Sequence, residues 1–182
     1  MLTFVLAVMA APVLADCPAP EDVTDALEDL FTKAREAEND QAGGALSAAM
    51  WELWLSAPDA AAQDVLDAGM RKRQVADYTG AIDDFTRLID YCPAYAEGFN
   101  QRAFVYFLSG DFDAALRDLD IALQLQPRHV GAQSGRALTL MNLGRTDAAR
   151  AQLRAALANN PWLSERFLLA DGGPLALPGE DI

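Results

Sequence analysis

Few side chains in this sequence could do chemistry. They are one histidine, His129, two cysteines, Cys17 and Cys92, and three close aspartate pairs, Asp83-Asp84, Asp111/Asp113 and Asp118/Asp120. Paired carboxylates can act as general acid and base or hold a hard cation, but either role needs them to converge. Neighbours at i and i+1 or i+2 do not share a helix face, and no calcium-loop spacing surrounds these pairs. Two distant cysteines and one histidine do not make a zinc site, and no glycine-rich phosphate loop is present. His129 follows Pro127-Arg128 at a turn, which assigns it to the surface. The residues thus point to no enzyme, no metal and no cofactor. Asp111 and Asp113 have a simpler role. At a helix start their charge meets unpaired N–H groups, worth roughly 0.5–2 kcal/mol for the cap.

The elements that position these residues repeat. Pro58, Pro93, Pro127 and Pro161 are spaced 35, 34 and 34 residues apart. Between them each block holds two helical patterns around a polar turn. In the clearest block, Phe99, Arg102, Ala103 and Tyr106 fall on one helix face, and Ser109-Gly110-Asp111 breaks the helix. Phe112, Ala115, Leu116, Leu119, Ala122 and Leu123 then form a second stripe. Moving back by 34 from Phe99, Ala103, Ala115, Leu119, Ala122 and Pro127 gives Val65, Gly69, Ala81, Phe85, Leu88 and Pro93. Moving forward gives Gln133, Ala137, Ala149, Leu153, Ala156 and Pro161. Small residues stay small where helices approach, and bulky ones stay bulky where a core needs volume. Gln133, and Lys72 at the place of Tyr106, depart from this rule.

These residues resemble the tetratricopeptide repeat, a helix–turn–helix unit of 34 residues. Gly69, Ala103 and Ala137 match its close-packing place in the first helix, Ala81, Ala115 and Ala149 the small place in the second, and Pro93, Pro127 and Pro161 the closing proline. The resemblance implies an all-α, right-handed α-solenoid. Its units are expected at residues 62–95, 96–129 and 130–163, with a short capping helix at 164–171 and a disordered tail at 172–182. Residues 16–61 read as a degenerate hairpin in front of the array, with Leu30, Ala34 and Ala37 facing Leu46, Met50 and Leu53 across a Gly43-Gly44 turn. Trp51 and Trp54 are assigned to core and inter-unit packing, and Trp162 to the final cap.

Residues 1–15 are apolar throughout and stop at Asp16, too short a run to span a bilayer but suited to a secretory signal cleaved after Ala15. They lack the basic residues that usually precede such a core. Export to the periplasm is the expectation, with no membrane span in the mature chain. Only 2 of the 14 basic residues are Lys, and alanine is abundant, as in GC-rich bacterial genomes. In an oxidising compartment Cys17 and Cys92 could form a disulfide or stay as separate thiols; sequence alone leaves both open. A net charge of −13 argues against nucleic acid. From Asp16 to Ala61 there are 11 acidic and 2 basic residues, whereas Arg128 to Pro161 holds 5 arginines and one acid, Asp147. That gradient reads as solvated faces or as a polarised surface for binding or self-association.

In this family the first helices line a groove that holds protein segments. Carried onto this chain, the lining comprises Leu66, Met70, Arg73 and Gln74, then Asn100, Gln101, Phe104 and Phe107, then Ser134, Leu138 and Met141. Amides suit a peptide backbone, and Phe and Met suit its apolar side chains. The family's carboxylate clamp needs Lys, Asn and Arg at places held here by Leu66, Met70, Gln101, Gly131 and Gly135, so that type of partner is not expected. The reading is a non-enzymatic envelope adaptor that binds a protein segment; the alternative is a structural module that self-associates or sits permanently in a larger complex. Asp118 is placed to pair with Arg102 or Arg136 and so to fix helix stacking. Asp118→Ala is therefore expected to lower the melting temperature, and unchanged melting would refute the pairing.

Overall fold

Four helices begin on a short polar side chain that accepts a hydrogen bond from the exposed first-turn backbone. Asn39 accepts from the Ala42 N–H at 2.9 Å, Asp59 from Ala62 at 2.8 Å, Asp77 from Gly80 at 3.0 Å and Asp111 from Ala114 at 3.0 Å. Each satisfies a donor that has no partner within its helix. The computed structural model describes residues 16–177, and among these the elements are helical without strands. They are α1 (Thr24–Glu36), α2 (Asp40–Trp54), α3 (Ala60–Gln74), α4 (Tyr78–Tyr91), α5 (Ala96–Leu108), α6 (Phe112–Leu125), α7 (Val130–Asn142), α8 (Thr146–Asn159) and a 3-10 turn at Ser164–Leu169. The pairs α3/α4, α5/α6 and α7/α8 stack in order as the three repeat units.

Packing follows the small residues. Ala81, Ala103, Ala115, Ala137 and Ala149 are fully buried, and a methyl group on Gly69 would run into the Phe85 ring. Between paired helices the chain turns through a left-handed residue: Gly110 at φ 79°, Gly144 at φ 71° and, at the same place in the first unit, Ala76 at φ 60°. An L side chain is strained there.

A second repeated device is an arginine bracket. Arg102 grips Asp118 through both carboxylate oxygens, Nε at 2.7 Å and Nη2 at 2.9 Å, while its Nη1 donates to Thr86 of the preceding unit at 3.1 Å. Arg136 stands one repeat later and does the same with Gln152 of its own unit (3.0 Å) and Asp120 of the preceding one (2.7 Å). The acid has moved from one side of the bracket to the other. Hydrogen bonding to Asp118 holds the Arg102 pKa above its ordinary value, burial opposing. In the first unit the buried Asp84 is held by Lys72 Nζ at 2.8 Å and by Arg87. Burial alone would push its pKa up, but these two cations together hold it down. Both departures from the apolar pattern thus have partners: Lys72 serves Asp84, and Gln133 donates to Pro127 O at 2.9 Å and accepts from Asn159 at 3.0 Å.

The N-terminal hairpin departs from expectation. Gly43 and Gly44 lie inside α2, and the turn falls at residues 37–39, because the Asn39 cap starts the helix earlier. Nor is the hairpin stacked as a unit in front of α3. Its core of Leu27, Phe31, Ala34, Met50 and Trp54 packs on Val130, Trp162 and Leu163. Trp162 therefore serves the hairpin rather than the final cap. Its ring lies where a side chain on Gly43 would be, and its Nε1–H donates to Ala34 O at 2.8 Å. Asn160 donates to Ser47 Oγ at 2.7 Å, Tyr95 OH to Trp54 O at 2.6 Å, and Arg128 pairs with Glu28 while lying 4.4 Å from the Phe31 ring centroid. Helix α2 is a brace across the junctions between units.

Cys17 is joined to Cys92 with a Cα–Cα distance of 5.2 Å, across a sequence separation of 75. Closing a loop of that length is worth up to about 4 kcal/mol on the chain-entropy model. At the other end, Leu168 and Leu175 are buried in the third unit's core. Leu175 N–H donates to Leu168 O at 2.8 Å and Arg150 Nε donates to Leu175 O at 2.8 Å. Residues 172–177 are thus an ordered return of the chain, contrary to the expected free tail. Residues 1–15, assigned to a signal, and 178–182 lie outside the described residues. Among those described, no helix is long and apolar enough to cross a membrane. Ala76→Gly relieves the left-handed strain and is expected to raise unfolding stability by about 1 kcal/mol, read from chemical denaturation.

Candidate peptide-binding groove

The first helices of the units, α3, α5 and α7, line a cavity of about 420 Å³. Trp51 and Leu55 of the brace close one side, and Leu163, Ser164 and Glu165 close the end beyond the third unit. Eight of the eleven residues expected to line a groove meet here: Met70 and Arg73, Asn100, Gln101, Phe104 and Phe107, and Ser134 and Leu138. The other three do not. Leu66 is fully buried in the core beneath, beside Phe85. Gln74 is exposed away from the cavity, and Met141 packs toward the third unit's core. A helix face is one turn wide, and a superhelix rotates each successive face, so helical periodicity alone cannot separate floor from wall.

The floor is polar and its centre is Glu97, only 1% exposed. Its carboxylate accepts from Asn100 Nδ2 at 3.1 Å, from Gln101 Nε2 and from His129 Nε2 at 2.7 Å. His129, expected on the surface, is instead completely buried. Its Nδ1 accepts from the Ala132 N–H at 3.2 Å and caps α7, so Nε2 carries the proton given to Glu97. Its ring stacks on Trp54 at 4.2 Å between centroids, and Trp51 meets it edge-on at 5.8 Å. The turn position was legible in sequence, but the tryptophans that cover the turn arrive from the hairpin, beyond any local signal.

From Glu97 the network reaches the cavity. Gln101 Oε1 accepts from Arg73, whose guanidinium lies 4.9 Å from the Phe104 ring centroid. Burial pushes the Arg73 pKa down, and the Glu97 charge opposes that. Ser134, 4% exposed in the wall, has a hydroxyl without a partner among the described residues. Phe104, 45% exposed, offers its ring to the solvent side. The cavity can therefore receive an apolar side chain and hydrogen-bond a polar main chain. Among the described residues no three His, Cys, Asp or Glu side chains are grouped to hold a metal ion.

These features define a solenoid of helical hairpins with a braced concave pocket. A tetratricopeptide repeat family model matches residues 106–162, so this part of the array is similar to that family. The chain is 39% identical over 69 residues to the tetratricopeptide repeat protein 36 homolog of Nematostella vectensis, covering 38% of each protein. It is 39% identical over 64 residues to a TPR repeat-containing protein of Rhizobium etli, covering 35% of this chain and 31% of that one. The matched segment thus spans about a third of the length of these curated relatives. Among solved structures, the first TPR domain of Spaghetti (RPAP3), bound to an HSP90 peptide, superposes with a TM-score of 0.56 at 25% identity, covering 57% of this chain and 82% of that one. The Sgt2 TPR domain from Aspergillus fumigatus gives 0.54 at 20% identity over 68% of this chain and 89% of its own, a likeness of fold.

His129→Ala leaves the Glu97 carboxylate without one of its donors and removes the surface on which Trp54 rests. A loss of about 3 kcal/mol in unfolding stability is expected, with Trp54 fluorescence shifting to the red in the folded variant.

Proposed function

We propose that this chain is a non-enzymatic adaptor of the cell envelope that holds a segment of a partner protein in its concave pocket. The observation that carries the reading is the cavity itself: apolar side chains, polar amides and the unpartnered Ser134 hydroxyl share one cleft on the face built from the first helices. The mixture matches what an extended peptide presents, alternate side chains and a polar backbone. The Spaghetti domain, similar in fold, is bound to an HSP90 peptide. The clamp places hold Leu66, Met70, Gln101, Gly131 and Gly135 here, so the partner segment differs from a two-carboxylate chaperone tail. The apolar residues 1–15 and the Cys17–Cys92 bond favour an exported protein, since such bonds persist in oxidising compartments.

The test is in-cell cross-linking of the full chain followed by identification of the bound proteins, comparing wild type with Phe104→Ala/Leu138→Ala. Asn100 is left intact because its amide supports buried Glu97. Loss of the cross-linked partner with unchanged melting is expected. Equal recovery of that partner by the variant would sink the reading.

A further inference from the structure

A second cleft of about 420 Å³ lies on the outer side of the brace, between the residues that precede α1 and the junction at Tyr95. Its charged lining is of one sign: Glu21, Asp22 and Glu52, with no Lys, Arg or His. All three are exposed, and among the described residues none is in an ion pair. Asp22 is engaged only locally, accepting from the Thr24 N–H at 3.0 Å. The apolar lining includes Leu53, Leu125 and Trp54; Leu125 is 42% exposed. Trp54 itself is 2% exposed, yet among the described residues its indole N–H finds no acceptor. A buried donor in that state is costly unless something supplies the acceptor.

We propose that this cleft binds a Lys- or Arg-bearing segment of a separate protein. The cation meets Glu21 and Glu52, its aliphatic stem lies on Leu53 and Leu125, and a main-chain carbonyl accepts from the Trp54 indole N–H. Carboxylates gathered without counter-ions, apolar surface and one unspent donor are what a basic side chain and its backbone complement. The basic stretch from Arg128 to Pro161 of a second copy is the rival occupant, but three of its five arginines are already ion-paired at home. Arg128 is paired with Glu28, Arg136 with Asp120, and Arg150 with Asp147. The site is separate from the concave pocket and does not depend on it.

The test uses a phage-displayed random dodecapeptide library selected on the full chain, with the enriched peptides synthesised and titrated. Enrichment in Lys or Arg is expected, with a shift of the Trp54 indole N–H resonance on binding. Affinity should fall about 10-fold for Glu21→Gln/Glu52→Gln and stay unchanged for Phe104→Ala. Both Gln substitutions are at exposed positions, and circular dichroism verifies the fold. Peptides that lack basic residues, that bind the double variant as well as the wild type, or that leave the Trp54 resonance unmoved would overturn the proposal. So would a wild-type sedimentation mass that rises with concentration and reverts in the double variant, since that assigns the cleft to a second copy.

Discussion

The buried Glu97 carboxylate is the point on which the groove and the brace both depend. An ionised group in a protein interior is tolerated only when donors surround it. Here the donors come from two directions. Asn100 and Gln101 are groove floor, whereas His129 belongs to the junction that the brace covers. Satisfying one carboxylate therefore fixes the amides of the pocket, the tautomer of the histidine and the seat of Trp54 together. The chain of contacts runs without a break from Arg73 through Gln101, Glu97 and His129 to the Trp54 ring.

The brace works because a helix and a solenoid share a length scale. Seven residues of α-helix advance about 10 Å, close to the 8–10 Å between packed helices. Trp54 and Ser47, seven apart in α2, meet successive parts of the array: Trp54 at Tyr95 and His129, Ser47 at Asn160. Cys92 and Asn160 are the same position two repeats apart, each ending a second helix. One is tied to the N-terminal segment by the disulfide and the other by the hydrogen bond from Asn160 to Ser47. Ties at both ends and a stacked ring between them restrain the spacing of the units, so the pocket is held in shape before anything binds.

The repeat and its internal packing were legible because they are local and periodic. Size at Gly69, Ala103 and Ala137 follows from two helices meeting within one hairpin, and Asp111 caps the helix it begins. Part of the pocket, eight of its eighteen lining residues, was legible for the same reason, since Met70, Phe104 and Leu138 stand on equivalent faces. Leu66 was misplaced because floor and wall are adjacent on one helix, and only the rotation between units separates them. His129 was misread because a polar residue after Pro127-Arg128 carries no mark of the indole that will cover it. The Gly43-Gly44 turn failed because Asn39 offered a cap, and the freedom of Gly43 was used for the approach of Trp162.

By itself, the sequence determined that this chain is a stack of helical hairpins and which side chains fill each hairpin's core, because those contacts lie within 34 residues and recur. Tertiary structure alone decided where the N-terminal hairpin goes. Its partners, Trp162 for Ala34 and Asn160 for Ser47, lie 128 and 113 residues away, and these contacts are made within no single repeat. Contacts of that range leave no periodic trace, and they require the solenoid's junctions to stand in a row.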